Sequence, residues 1–473
     1  MKERSFDLVV LGAGPGGYVS AIRAAQLGLS VAIVEKDIPG GVCLNIGCIP
    51  SKALIRQASV YHDGKALFEK TGVKVDDSGF DYSRVWKTSR AASDKLSKGV
   101  QYLLRKNKVE LVKGKGSLQD ARSILVDTAA GPELLRGQAI LLATGSRPRV
   151  IPGFQFDETR ILSSTGMLMS DSLPKSIVIL GAGAIGMEFA YILRSFGVEV
   201  TIVELLDQVL PLEDAESAAV VQKAFAARGI TIHTSAKASG VTVKGENVEM
   251  AVTLKDGTST VLVAERVLVS VGRAPNTDGI GLEEAGLKLT RGLVDTGDYY
   301  ETSVPGIYAI GDITAQPQLA HVASKAGEIA VEHIAALLKG SHEPEESRIN
   351  PYTIPSAVYC EPEVASFGLS EKKAKELGAR IKVARFPYMG IGKAVATEMP
   401  EGQVKVVFDP DTRVVLGASI VGAGATDTIH ELLLASVLDL DVEKVAEMIH
   451  AHPTLAEGVM EAAKAALGRA IHI

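Results

Sequence analysis

The run Phe6-Asp7-Leu8-Val9-Val10-Leu11-Gly12-Ala13-Gly14-Pro15-Gly16-Gly17 decides the fold of the N-terminal part. Its first half is short and apolar, as a buried strand is. Its second half matches GxGxxG at Gly12, Gly14 and Gly17. Tyr18 to Leu27 then reads as a helix, and Ser30 to Val34 as a strand ending at Glu35. Each part has a physical role. The first glycine makes a tight turn, the second lets backbone approach a pyrophosphate, and the third lets helix pack on strand. The helix start offers N–H groups and partial positive charge to phosphate. The acidic residue accepts from a ribose hydroxyl.

The plan recurs. Ile177 to Leu180 reads as a strand, Gly181, Gly183 and Gly186 form GxGxxG, and Met187 to Phe196 reads as a helix. Val198 to Val203 is a strand that ends at Glu204, as far past Gly181 as Glu35 is past Gly12. A plain glycine turn explains one such run. Two, each between strand and helix and each with its Glu, imply two dinucleotides. Glu204 points to NAD in the second: a carboxylate bonds the free 2′-hydroxyl and repels a 2′-phosphate. Leu205-Leu206-Asp207-Gln208 offers no arginine to reverse that. A third run, Gly422 to Asp427, lacks the third glycine and an acidic strand end; it reads as a loop before a helix near Thr428.

The 473 residues are 46% hydrophobic and 22% charged, with a net charge of −6. That length suggests about three domains. No basic tract has the density that nucleic-acid binding needs. No apolar run approaches the ~18 residues that cross a bilayer. Met1 to Ser5 is too short for a signal peptide, so a cytoplasmic protein is expected.

Three cysteines are too few for a secreted disulfide scaffold. Two lie in Gly40-Gly41-Val42-Cys43-Leu44-Asn45-Ile46-Gly47-Cys48-Ile49-Pro50-Ser51-Lys52. Residues five apart in one helix are separated by ~7.5 Å of rise, beyond disulfide reach. The chain must therefore bend between them, and Gly47 permits it. A helix from about Ile49 to Tyr61, with Pro50 in its first turn, places Cys48 where a thiolate is favoured. Lys52 adds positive charge one turn on. The plainer alternative is two packed core cysteines, the role expected of Cys360.

Taken together, the first GxGxxG with Glu35, the GGxCLNxGCIPSK stretch, Ala143-Thr144-Gly145-Ser146-Arg147-Pro148, and the second GxGxxG with Glu188 and Glu204 resemble the pyridine nucleotide–disulfide oxidoreductases. The likeness continues through Val271-Gly272-Arg273-Ala274-Pro275-Asn276, Ile310-Gly311-Asp312 and His450-Ala451-His452-Pro453-Thr454-Leu455-Ala456-Glu457. Val42 departs from the usual threonine, which removes one hydroxyl near the flavin.

The resemblance implies an α/β fold with two Rossmann-like dinucleotide-binding domains, for FAD and NAD, and a C-terminal α+β dimerisation domain. It implies FAD-binding segments at 1–150 and 272–348, an NAD-binding insert at 151–271, and the dimerisation domain at 349–473. Gly12, Gly14, Gly17, Glu35, Lys52, Gly116, Thr144, Gly145, Asp312 and Ala320 would serve FAD, with Asp312 on its ribityl chain. Gly181, Gly183, Gly186, Glu188, Glu204 and Gly272 would serve NAD, and Glu188 would pair with Lys52.

The activity implied is oxidation of protein-bound dihydrolipoamide through a Cys43–Cys48 disulfide, with NAD as acceptor. His452, oriented by Glu457, would be the base and would serve the site of the other subunit of a homodimer. His450 matches as well, with no settled role. The implied partners are the lipoyl domains of acyltransferases or of glycine-cleavage carrier proteins, with no nucleic acid, membrane or metal. Glutathione reductase-like enzymes share the cysteine pair but prefer NADP, which Glu204 opposes. A flavin-bound scaffold without turnover is the rival of another kind.

Overall fold

A computed structural model describes residues 1–472. The chain forms two compact units. One comprises Met1–Ala53, Ser83–Arg149 and Gly272–Ile349; the other comprises Leu54–Tyr82, Val150–Val271 and the chain from Asn350 onward.

The first unit is built on a seven-stranded sheet. Its path runs Glu110–Lys113, Val31–Glu35, Lys2–Leu11, Gly131–Leu142, Ser123–Thr128, Lys115–Asp120, and Ile307–Ala309 joins beside Gly131–Leu142. The strands around Lys2–Leu11 are parallel, with Leu11 opposite Val34 on one side and Leu142 on the other. Val31–Glu35 is buried at every position, as a parallel strand covered on both faces must be. Strands leave Lys2–Leu11 in both directions, which opens a crevice at its carboxyl end, where Gly12 sits.

The strand begins at Lys2 rather than Phe6 because Lys2 to Phe6 find partners in Glu133 to Gly137. The helix after the glycines is Pro15–Gln26. It starts earlier than Tyr18 because Pro15, with its fixed φ and no N–H to lose, suits a first turn. This helix packs closely on Ala320–Lys339. A Cβ on Gly327 would fall 2.0 Å from Ser20 Oγ and 3.1 Å from the Gly16 carbonyl oxygen.

The second unit carries a five-stranded parallel sheet in the order Thr231–His233, Glu199–Val203, Ser176–Leu180, Arg266–Val269, Ile161–Leu162. A three-stranded antiparallel sheet spans Lys237–Lys244, Asn247–Thr253 and Ser259–Ala264. The C-terminal part is a five-stranded sheet, ordered Ser356–Val358, Val364–Gly368, Val415–Val421, Gln403–Phe408, Lys382–Pro387. The helices Ala425–Val437 and Glu457–Ala466 supply apolar residues to its core. The first of these starts at Ala425, not Thr428, after Gly424 turns the chain with φ +67°. The helix holding Cys48 runs to Lys70, well past Tyr61.

Candidate functional site

The two glycine turns superimpose in their bonding. Gly12 and Gly181 have φ of +104° and +101°, which a side chain resists. A Cβ at Gly17 would lie 1.9 Å from the Gly12 carbonyl oxygen, and one at Gly186 2.0 Å from that of Gly181. Gly14 and Gly183, at the helix starts, have open space where a Cβ would stand. Each acidic residue then grips its own turn. Glu35 accepts from Ala13 N–H at 2.8 Å and Asp37 N–H at 2.9 Å. Glu204 accepts from Ala182 N–H at 2.6 Å and Leu206 N–H at 2.8 Å. Both carboxylates are buried, and each retains lone pairs for a ribose hydroxyl. An open cradle, helix N–H groups and a buried acceptor fit a dinucleotide at each turn.

The cysteine stretch folds as the short helix Gly41–Ile46, a break at Gly47, and the helix Cys48–Lys70. The break brings the two side chains together: Cys43 and Cys48 stand as thiols that share a side-chain hydrogen bond. That bond, then burial, pushes the Cys43 thiol well above its ordinary range, while Lys52 acts in the opposite sense. Gly41 sets the loop against the first turn, since a Cβ there would lie 2.7 Å from the Gly14 α-carbon. Asn45 closes the loop from within, its amide donating to the carbonyls of Ile38, Pro39 and Gly41. Arg90, from the helix Tyr82–Lys106, donates to the Asn45 carbonyl at 2.5 Å. Val42 packs at Gly47, where a Cβ would meet the Val42 carbonyl oxygen at 2.9 Å. Cys360 is fully buried, which pushes its thiol up, and donates to Pro362 O at 3.5 Å.

Asp312 gains two companions that sequence reasoning did not assign. Ser146 donates its hydroxyl to the Asp312 carboxylate. Arg273 donates to Ser146 Oγ and to its carbonyl, both at 2.7 Å, and stands 3.9 Å from Asp312. Burial pulls the Arg273 guanidinium down, and Asp312 and Cys48 offset part of that. The trio forms because Ser146–Pro148 pairs antiparallel with Arg273–Pro275. Thr144 and Gly145 border it: Thr144 Oγ1 donates to Asn276 O, and Asn276 N–H donates to Gly145 O. Gly272, with φ +103°, turns the chain into this strand and accepts from Arg149 N–H. Gly116 lies in Lys115–Asp120 with Leu11, Val34 and Ile124 packed at its α-carbon. Ala320 is the first residue of its helix. Glu188 lies in the second unit, where it is buried and accepts from Tyr359 N–H at 3.2 Å.

At the other end of the sequence, His452 Nδ1 lies 2.9 Å from Glu457 Oε1. An ionised carboxylate only accepts, so the Nδ1 proton points to Glu457 and Nε2 is left as the basic nitrogen. Glu457 opens the helix Glu457–Ala466, where a negative charge is favoured. Burial pushes its carboxyl up, but bonds from Thr454 N–H and His452 outweigh that and leave it below its ordinary value. His452 is 76% exposed, whereas His450 is 3% exposed and sits between Glu431 and the Met448 carbonyl. Leu434, Val437, Leu438, Met448 and Ile449 expose apolar side chains on this part of the chain.

Two dinucleotide turns, a paired-thiol loop against one of them, and a carboxylate-oriented imidazole define a nucleotide-linked thiol–disulfide oxidoreductase. The comparisons agree. Residues 6–327 match the family model of the pyridine nucleotide-disulphide oxidoreductases, and residues 354–463 match that family's dimerisation domain. The chain belongs to this family. It is 44% identical over 473 residues to the dihydrolipoyl dehydrogenase of Corynebacterium glutamicum, and 41% over 477 residues to that of Bacillus subtilis. Each alignment covers 99% of both chains. Among solved structures, LpdA of Mycobacterium tuberculosis matches with a TM-score of 0.88 at 29% identity, over 98% of this chain and 99% of that one. The flavoprotein disulfide reductase RclA of Escherichia coli matches with a TM-score of 0.86 at 25% identity, with the same coverage.

Proposed function

We propose that this chain is a dihydrolipoyl dehydrogenase that oxidises lipoyl dithiols with NAD. The observation that carries the reading is the hydrogen-bonded Cys43–Cys48 pair at the mouth of the first nucleotide turn. Full-length identity of 41–44% to dihydrolipoyl dehydrogenases supports the substrate. Gly12, Gly14, Gly17, Glu35, Gly116, Thr144, Gly145, Asp312 and Ala320 would hold FAD, with Lys52 beside the cysteines. Ser146 and Arg273 would fix the Asp312 carboxylate. Gly181, Gly183, Gly186, Glu188, Glu204 and Gly272 would serve NAD. When bound, FAD supplies a two-electron relay from the reduced cysteines to NAD.

The chain's own residues handle sulfur and protons. His452 Nε2, of the partner subunit in this reading, takes a proton from one substrate thiol, and Glu457 stabilises the imidazolium that forms. The substrate thiolate attacks Cys43 Sγ of the oxidised pair; the Cys43–Cys48 bond breaks and Cys48 leaves as a thiolate. The helix start beneath Cys48 favours that charge. The second substrate thiol then closes the lipoyl ring by displacing Cys43.

The domain scheme follows: FAD-binding segments 1–150 and 272–348, an NAD-binding insert 151–271 and a dimerisation domain 349–473. The enzyme would act as a cytoplasmic homodimer on the lipoyl arms of acyltransferases or glycine-cleavage carriers. The family's dimerisation domain and the exposed apolar side chains of Ala425–Val437 support the dimer. Cys43→Ser tests the core of this. Dihydrolipoamide–NAD turnover should fall by at least about 1,000-fold, with flavin still bound. Turnover that survives the change would overturn the scheme.

A further inference from the structure

Between Glu204 and the helix Ala215–Ala227 runs the loop that borders the expected NAD ribose. Its two ends are held differently. At the near end, Glu204 holds Ala182 N–H and Leu206 N–H, and Leu210 N–H returns to the Ala182 carbonyl at 2.8 Å. Ala182 lies inside the glycine turn itself. At the far end, Glu213 N–H donates to Leu210 O, and Gln208 Nε2 donates to Glu213 O.

From Glu213 onward the chain is stapled to the C-terminal sheet. Glu213 takes Ser356 Oγ on one carboxylate oxygen and Ser366 Oγ on the other, both at 2.6 Å. Asp214 caps the helix through Glu216 N–H and takes Lys405 Nζ at 2.8 Å. Glu216 takes Lys405, Gln403 and a two-pronged Arg385. Ser217 bonds Ser419 at 2.8 Å. Lys405 is 3% exposed and also reaches Glu371 at 3.1 Å.

The Lys405–Asp214 pair at the centre is buried, and a buried ion pair is a poor source of stability, because desolvation offsets attraction; its best-attested use is to fix register. Removing the lysine would leave Asp214 without its cation, while Glu216 would keep Arg385 and Gln403 and Glu371 would keep Arg385 and Lys375. Two serines on Glu213 likewise fix position more than they add stability.

We propose that Lys405 and the Glu213–Glu216 run are positioning residues for NAD: they hold the ribose loop against the glycine turn from the C-terminal sheet. This rests on reading Glu204 as the NAD ribose residue. None of the stapling residues touches dinucleotide or sulfur in this scheme. Their effect therefore falls on NAD affinity and spares the thiol half-reaction.

The test compares wild-type holoenzyme with Lys405→Met, Lys405→Arg and the double variant Ser356→Ala/Ser366→Ala. For Lys405→Met, the KM for NAD should rise about 5- to 10-fold, while kcat and the dihydrolipoamide KM stay within about twofold. The serine pair should raise the NAD KM about threefold, and Lys405→Arg should hold it within about twofold of wild type. Should Lys405→Met fail to yield folded, flavin-loaded protein, the serine pair decides alone. An NAD KM unchanged in every folded variant, or all three constants moving together, would overturn the proposal. If wild-type enzyme does not turn over dihydrolipoamide with NAD, the functional reading fails. NADH titration by fluorescence would then still judge the staple on its own.

Discussion

Pro15–Gln26 and Ala184–Ser195 start from nearly identical turns, yet different things lean on them. Along the first helix, Gly16 leaves room for a neighbour: a Cβ there would meet Ile310 Cδ1 at 2.9 Å and the Ala323 carbonyl oxygen at 3.1 Å. The matching position in the second helix is Ile185, half-buried. That helix buries Met187, Ile192 and Leu193 and adds polar ties: Tyr191 donates to Glu361 at 2.8 Å and Glu188 accepts from Tyr359 N–H. The glycines at the first, second and third positions of both motifs answer to the local turn and to the nucleotide proposed for it. Of the two residues between the second and third, the later one answers to the neighbour. A motif shared by both copies therefore speaks of chemistry, and the place where the copies part speaks of packing.

The largest effects should come from filling the shared positions. Gly17→Ala and Gly186→Ala each drive a methyl into a backbone carbonyl and should cost about 3 kcal/mol locally. The first should yield protein purified without flavin colour. The second should keep its flavin and lose NAD affinity by at least about tenfold. A reversed pattern would exchange the two nucleotide assignments.

Next come the positions where the copies differ. Gly16→Ala should lower the temperature of flavin release on heating, from a loss of about 1–2 kcal/mol. Ile185→Ala, at a half-buried site, should cost under about 1 kcal/mol and leave flavin release unmoved. Equal effects would erase the distinction. Glu35→Gln and Glu204→Gln keep one acceptor oxygen and lose the charge, and each should cost about 1 kcal/mol of nucleotide binding. Glu204→Gln should raise the NAD KM about fivefold with flavin content intact, and Glu35→Gln should weaken flavin retention alone; a shared defect would mean that the two turns are not independent.

The features legible in the sequence are those whose partners lie close along the chain. Each Glu grips a turn about twenty residues earlier through strand geometry that the glycine spacing encodes. The cysteine bend follows from Gly47, and the pairing of His452 with Glu457, five residues apart, is implied by the family resemblance. Ser146, Arg273 and Asp312 were invisible as a trio because an antiparallel pairing of distant strands creates it. Arg90 gave no signal at all, lying mid-helix far from the Asn45 carbonyl it binds. The helix end past Tyr61 was missed for a similar reason. Gly64 and a polar stretch suggest a stop, but Tyr61 packs with Phe80 and Phe196, and Lys65 reaches Asp77 at 2.6 Å. Such tertiary support overrides local propensity.

The crossing at Gly16 and Gly327 has a mechanical corollary. With glycine at the pivot, Ser20 packed at Gly327 and Ser324 reaching Pro15 O, Pro15–Gln26 and Ala320–Lys339 are clamped as the jaws of a single calliper. Their amino ends, at Pro15 and Ala320, thus keep a fixed span. A single methyl grown at the pivot would misset both tips together, and with them the FAD site proposed above.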